Sequence, residues 1–594
     1  MAVRTLEATT AAQPAEQAAA GLLARLFARV EIAPLVFFRA FFGVVMLWEV
    51  WRYFEYNRIE RYFIEPQFTF PYFGFEWVKP LPGDGMIWLF HGLGALSVLL
   101  MLGLGFRVVM PLFFAAFSYV FLLDQTWYLN HFYLIALISF IMIFLPLNRA
   151  LSLDALLSPR LRAQTAPAWT LWLLRAQVGI VYFFGGIAKL NGDWLQAEPM
   201  RAWLADRTDF PLIGHLFTEE WMVYAMNYGG LLLDLLIVPF LLWRRTRWLA
   251  LGVAILFHLM NARLFNIGIF PWFMIGATLL FLQPERFRWL IPARWRALPA
   301  HDEPPPVRLQ SRHYIIAALL AVYLLWQVAF PLRHFLYPGD VNWTEEGHKF
   351  AWHMKLRSKS GAAYFFATDP DSGTTWELAP SFFLTPSQMD GDKMAGHADM
   401  IVPFVHYLAD YLRSAGFPNI EVRVWAMATM NGRAPQLLID PTYNLANQPR
   451  MLTAAPYILP LAQPLKGENH VLLIANRDDN LLLLNMTRRA FPLERLQLAN
   501  GLAALDGAGW GMAHLEEAGC AVAQPVADAP LPPLICNQDA APLVLENALW
   551  REPFDVYFDG AHLTRCESAT CVVSVPVAGA SSYNEGESEM EITE

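Results

Sequence analysis

The chain of 594 residues is 56% apolar, 14% aromatic and only 16% charged, with a net charge of −9 and a mean hydropathy of +0.33. Soluble chains carry about a quarter charged residues. This composition excludes a mainly disordered, collagen-like or DNA-coating protein, and it offers no electrostatic basis for binding nucleic acid.

Residues 1–30 are small and polar, with Arg4, Arg25 and Arg29, and lack the apolar core and cleavage site of a removable signal. They read as a cytoplasmic tail. Over 31–333, apolar runs alternate with short polar joints. A span needs about 20 apolar residues, and about nine spans are expected, near 34–54, 85–104, 108–123, 129–147, 168–188, 220–243, 248–262, 266–283 and 313–333. The pair around 262–266 reads equally as a broken or re-entrant helix. Alternate joints concentrate arginine: Arg107, then Arg149, Arg160 and Arg162, then Arg244, Arg245 and Arg247, then six more from Arg286 to Arg312. The opposite joints hold fewer cations. That asymmetry places the N-terminus in the cytoplasm and residues 334–594 in the periplasm or lumen.

The expected architecture is therefore a polytopic α-helical membrane domain followed by a mixed α/β, strand-rich extracytoplasmic domain over 334–576. Strands are expected at 420–428, 469–475 and 570–576, and an amphipathic helix over 396–415, stopped by Gly416 and Pro418. All four cysteines lie in the last third. An even number in an exported domain points to two disulfides, most simply Cys520–Cys536 and Cys566–Cys571; four free thiols are the alternative. Their spacings match no common zinc pattern, and no metal is expected. Residues 577–594 are acidic and read as a disordered tail.

No phosphate loop G-x-x-x-x-G-K-[ST], nucleophile elbow G-x-S-x-G or zincin H-E-x-x-H occurs. Attention falls instead on polar side chains in apolar runs, which are costly in a membrane and default to functional candidates. Only seven of the 43 cationic residues are lysine, and Lys189 is the only lysine between positions 80 and 348. It closes the run Val181-Tyr-Phe-Phe-Gly-Gly-Ile-Ala-Lys189. An amine withdrawn from water can stand neutral and accept a proton; a guanidinium cannot. The alternative is a lysine snorkelling from the end of a span. Trp127, Asn130 and His131 stand at the outer mouth of the fourth span. His258, Met260 and Asn261 close the seventh, and Phe270 follows. The plain alternative for each group is a satisfied core histidine or an interfacial cap. Gly185 and Gly186 would let a flat ligand approach the backbone. Arg39, Glu49, Arg175 and Asp234 read as structural charges that pair with one another. The aromatic joint over 50–80 reads as an interfacial belt.

At these residues the sequence resembles the vitamin K-dependent γ-glutamyl carboxylase family. The matching stretches are Asp124-Gln-Thr-Trp127-Tyr-Leu-Asn130-His131, Val181 through Lys189-Leu-Asn-Gly-Asp-Trp194, and the His258–Pro271 segment. In the outer domain they are Asn342-Trp-Thr, His397-Ala-Asp-Met400, Asn431-Gly-Arg433 and Ile439-Asp-Pro441. The resemblance implies oxygenation of vitamin K hydroquinone (reduced menaquinone or phylloquinone) by O2 to its epoxide. That reaction generates a base strong enough to remove a γ-proton from a peptide glutamate, which then captures CO2. On this reading Lys189 deprotonates the hydroquinone and His131 serves the carboxylation half. Asn130 holds the quinone, with Trp127, Gly185, Gly186, His258, Met260, Asn261 and Phe270 around it. Arg433 and His397 grip the glutamyl carboxylate. The implied partners are a glutamate-containing peptide or protein, the bilayer, and a quinone reductase. A lipid quinone would enter from the bilayer and the peptide from outside, with a dry site guarding the reactive species. Rival readings are an uncoupled quinol epoxidase, a non-catalytic or transport-type membrane protein whose outer domain binds a partner, and a polytopic acyltransferase using His131.

Overall fold

Apolar density becomes helix wherever polar joints interrupt it. The computed structural model describes residues 21–290, 308–389, 393–433, 435–462 and 465, with the backbone of strands between 469 and 573. Nine apolar helices follow in order: α1 (Ala33–Glu55), α2 (Gly85–Leu102), α3 (Phe106–Leu122), α4 (Asn130–Phe144), α5 (Ala168–Ala188), α6 (Glu220–Leu242), α7 (Arg247–Phe265), α8 (Phe270–Thr278) and α9 (Ser311–Ala329). Among the described residues, six are long and apolar enough to cross a membrane: α1, α2, α5, α6, α7, and α9 with its extension to Leu336. The others are apolar but shorter, so the expected nine full-length spans reduce to six by this measure. The ambiguity at 262–266 resolves as a corner. α7 ends at Phe265, and Asn266 turns the chain in the left-handed region at φ +45°, where asparagine is tolerated.

Two glycines set helix spacing. A Cβ at Gly43 in α1 would lie 2.6 Å from the backbone nitrogen of Met101, and one at Gly186 in α5 would lie 2.7 Å from the Leu235 side chain of α6. Only glycine permits either approach. The membrane core is aromatic: Phe42 meets Phe113 and Phe273 edge to face, with ring centroids 5.5 and 6.3 Å apart.

In the outer part, strands β1 (Lys359–Thr368), β2 (Thr375–Leu378), β3 (Glu421–Met430) and β4 (Gln436–Leu437) form an antiparallel sheet in the order β2-β1-β3-β4. Helix α10 (Ala398–Ser414) packs on it. Its buried Met400, Ile401, Phe404, Val405, Leu408 and Leu412 recur at helical spacing and join Val422 and Val424 of β3 in one core. Helix and strand fall where the sequence placed them. Further along, strands from Asn469 to Val573 make a nine-stranded sheet and a two-stranded one. The pair Cys520–Val522 and Leu534–Cys536 sets Cys520 opposite Cys536 in register. The cysteine side chains, and with them both expected disulfides, lie outside the described residues, as do residues 1–20 and 577–594.

Two features join the parts. The aromatic joint after α1 is not only a belt: Phe70 is fully buried in the outer-domain core, where Phe68 packs against Tyr407. Tyr53, Phe63 and Tyr72 of the same joint are also buried, while Phe73, Phe75 and Trp77 are exposed. In the other direction, a loop over 345–357 reaches down into the helices. Trp352 is buried within the membrane core beside Tyr133. The His353 carbonyl accepts from Asn130 Nδ2 at 2.9 Å, and the Phe350 amide donates to the Tyr128 hydroxyl at 2.7 Å. Phe350, Trp352 and Lys355 hold positive φ of 62°, 63° and 49°, a conformation that persists only where surrounding contacts impose it.

Candidate active site

Lys189 caps the end of α5, its backbone amide donating to the Gly186 carbonyl at 3.0 Å. The chain then turns sharply, because Asn191 Oδ1 accepts from the Trp194 amide at 2.9 Å. This leaves the lysine side chain directed at α6. Its Nζ donates to Asp234 Oδ2 at 2.7 Å and to the Gly185 carbonyl at 3.0 Å, with the Trp194 ring 5.3 Å away. Amine and carboxylate are each 7% exposed. A pair so enclosed cannot lose one member without stranding the other's charge.

The buried charges expected to pair among themselves do not. Arg39 donates to the carbonyls of Leu151 at 2.7 Å and Met101 at 3.3 Å; Arg175 donates to those of Leu280 and Leu282 at 2.7 and 2.9 Å. Glu49 is held by Arg52 at 2.6 Å and Arg58 at 3.6 Å. Sequence reasoning thus missed Asp234 as the partner of Lys189. A signal existed, since an acid in an apolar run and the one lysine between positions 80 and 348 each need an opposite charge.

Beside this pair lies a cavity of about 760 Å³, within the range of a small-molecule site. Its wall includes Lys189, Asp234, Trp127, Asn130, His131, His258, Met260, Asn261 and Phe270, so residues scattered over nearly 150 positions meet on one surface. His131 stacks on Phe270 with centroids 5.7 Å apart. The Asn130 amide is already engaged: its Oδ1 accepts from Tyr128 at 3.0 Å and its Nδ2 holds the His353 carbonyl. His258 Nε2 lies 2.6 Å from the Tyr182 hydroxyl, which in turn meets Thr278 Oγ1 at 3.0 Å. Trp127 stacks on Tyr62 at 3.5 Å, with Lys393 Nζ 4.1 Å from its centroid. Buried atoms of three cavity-wall residues, His258 Nδ1, Trp127 Nε1 and Thr126 Oγ1, have no hydrogen-bond partner among the described residues. Buried polar groups are normally satisfied, so these atoms are candidates to meet the polar groups of a ligand. Tyr182, Thr278, Tyr128 and Tyr62 were not anticipated, because tyrosine and threonine in apolar runs carry no distinguishing pattern.

Three expectations change. Gly185 and Gly186 do not line the cavity; they face α6 and Met354, and serve helix packing rather than ligand approach. Arg433 forms a bidentate pair with Asp193 at 2.5 and 2.6 Å, reinforced by Asn431 at 2.7 Å, and both charges are buried. It would have to abandon Asp193 to take a substrate carboxylate. His397 stands 3.7 Å from Glu345, which also binds Arg357 at 2.6 Å, Lys359 at 3.4 Å and His348 at 3.7 Å. Burial alone would raise the Glu345 carboxyl, but Arg357, His397, Lys359 and His348 outweigh it and hold it well below the usual range. Neither Arg433 nor His397 lines the cavity. Arg433 is committed to a carboxylate of the chain itself, whereas His397 Nε2 lies 3.4 Å from the Arg357 guanidinium and its Nδ1 has no hydrogen-bond partner among the described residues.

Residues 27–286 match the HTTM domain, and residues 312–464 match the lumenal domain of vitamin K-dependent gamma-carboxylase, in that order. The chain belongs to the vitamin K-dependent γ-glutamyl carboxylase family. It is a multi-pass membrane protein with a lumenal domain. No solved structure matches it. Within this family member the Lys189–Asp234 pair falls in the first matched region and the 345–357 loop in the second. The cavity lies where the two regions meet.

Proposed function

We propose that this carboxylase-family chain couples oxygenation of vitamin K hydroquinone to carboxylation of glutamate in a peptide. The observation that carries the reading is the Lys189–Asp234 pair on the wall of a large cavity framed by membrane helices. The residues present fit a lipid quinol. Val181, Leu233, Val253, Leu256, Phe257 and Met274 offer apolar walls, and His258 Nδ1 and Trp127 Nε1 are left unpaired for ring oxygens. Bound hydroquinone, oxidised by O2 to its epoxide and water, supplies a base strength that no side chain possesses.

The side chains do the rest. One proton shared between Lys189 and Asp234 can rest on the carboxylate, leaving the amine neutral to accept a hydroquinone proton. Tyr182 and Thr278 fix the His258 ring, and Phe270 fixes the plane of His131. His131 faces the cavity as the group available for proton movement in the carboxylation half. The inserted 345–357 loop roofs the cavity with Met354 and Lys355 and limits water. The N-terminus lies in the cytoplasm, the peptide arrives from the lumenal side, and a quinone reductase regenerates the hydroquinone.

One observation favours a second reading, the uncoupled quinol epoxidase: of the two residues expected to hold the glutamyl carboxylate, Arg433 is occupied by Asp193 and His397 lies off the cavity wall. The test is purified enzyme in lipid nanodiscs with hydroquinone, O2, labelled CO2 and a Glu-containing peptide. Label should enter the peptide as epoxide forms, and Lys189→Ala should lose both products. Activity surviving in that variant would overturn the mechanism; epoxide without label would leave the epoxidase.

A further inference from the structure

If a glutamyl peptide is the second substrate, a reading on which this inference rests, some cation must meet its carboxylate. Most cations on the cavity wall are engaged. Lys189 holds Asp234, Arg52 and Arg58 share Glu49, and Lys393 donates to the Ser387 carbonyl above Trp127. Lys355 differs. Among the described residues it forms no ion pair, and its side chain is exposed on the cavity wall. Aromatic faces hold it instead: Nζ lies 5.4 Å from the centroid of Trp203 and 5.6 Å from that of Phe265, two rings that meet edge to face. Such contacts hold an ammonium in place while leaving its hydrogen-bond donors free for an oxygen anion.

Its position is also fixed from behind. Lys355 follows the anchors at Phe350, Trp352 and His353, and its neighbour Met354 reaches α5, where a Cβ at Gly185 would lie 3.1 Å from Met354 Cε and 3.5 Å from Asp234 Oδ2. The lysine therefore stands one residue from a side chain packed at the Lys189–Asp234 pair.

We propose that Lys355 receives the side-chain carboxylate of the incoming glutamyl residue and sets the requirement for an acidic side chain. The placement suits the chemistry. Removing a γ-proton adds negative charge to a group already anionic, so a preorganised cation on those oxygens stabilises the transition state more than the ground state. A neutral glutamine side chain gains nothing comparable from the ammonium.

The test compares wild type, Lys355→Gln and Lys355→Arg as full-length protein in nanodiscs, with fluorescence anisotropy of a labelled Glu-containing pentapeptide and its Gln counterpart. Hydroquinone binding, read by tryptophan quenching, checks the fold. Wild type should bind the Glu peptide at least tenfold more tightly than the Gln peptide. Lys355→Gln should erase that preference with hydroquinone binding unchanged, and Lys355→Arg should keep most of it. The KM for peptide should rise in Lys355→Gln while the KM for hydroquinone stays constant. A Lys355→Gln protein that still prefers Glu as wild type does would overturn the assignment and leave the carboxylase reading standing. Wild type that binds neither peptide and fixes no label would overturn that reading, and the assignment with it.

Discussion

At the scale of single residues, the Lys189–Asp234 pair separates chemistry from stability. Replacing one member leaves the other buried and uncompensated, which costs about 3–5 kcal/mol, whereas replacing both with apolar residues of similar volume is often neutral. Lys189→Met should therefore lower the unfolding temperature in detergent, and Lys189→Met with Asp234→Leu should restore it. Neither protein should form epoxide. Asp234→Asn, which keeps the shape of the site, should cut turnover by roughly 10²- to 10⁴-fold, the usual contribution of a positioned acid–base group. A double variant that regains activity along with stability would show the pair to be structural. The Glu345 cluster makes a different prediction. Burial pushes the His397 imidazole down to about 4, against the pull of Glu345, while the surrounding charges hold Glu345 well below the carboxylate range. In both cases the unfolded chain binds more protons than the folded one. For the histidine this holds between its ordinary 6.5 and about 4, and for the glutamate below its ordinary 4.5. Stability is thus greatest above pH 6.5 and declines on acidification. Thermal unfolding followed by tryptophan fluorescence should show this fall, and His397→Gln should flatten its upper part only.

At the scale of elements, the domain junction depends on a few contacts that hydropathy does not foresee. Arg433 and Asp193 tie the strand-rich part to the turn after α5. Asp193→Asn should destabilise the protein by about 3–5 kcal/mol and lower hydroquinone and peptide turnover together. An Arg433 that gripped substrate would instead raise the peptide KM with the fold intact. Gly186→Ala should force α6 away at Leu235 and carry Asp234 from the Lys189 amine. A turnover loss of tenfold or more with little change in expression is expected, measured on the purified protein. How much of this the sequence revealed follows from the physics of each element. Helices α1 to α9 were legible because the bilayer demands apolar length, and α10 because its apolar residues repeat at 3.6. The catalytic candidates were legible as polar exceptions in apolar runs. Pairing was not: Asp234 and Arg433 find their partners 45 and 240 positions away, and Glu345 gathers partners from 3 to 52 positions away. No local pattern encodes such distances. Phe70 was misjudged for the same reason, since an aromatic ring at an interface and one in a distant core look alike in sequence.

At the scale of the molecule, the arginine asymmetry of the joints predicts one orientation, with the second matched region on the lumenal side, which requires at least one of the shorter apolar helices to cross as well as the six long ones. An epitope inserted in the exposed turn at Ser372 should be reached by antibody on sealed vesicles whose lumenal or periplasmic face is outward, and one at Arg160 should not. The reverse pattern would invert the proposed route of the peptide. The burial of Phe70 also has a consequence for biogenesis. The ribosome delivers this ring about 300 positions before the β1, α10 and β3 residues that enclose it. On the proposed orientation, the nascent joint must until then remain on the lumenal face with its aromatic side chains uncovered. Maturation should therefore be slow to complete, sensitive to lumenal chaperones, and recoverable when residues 1–310 and 311–594 are co-expressed as separate chains. Residues 1–310 expressed alone should be rapidly degraded.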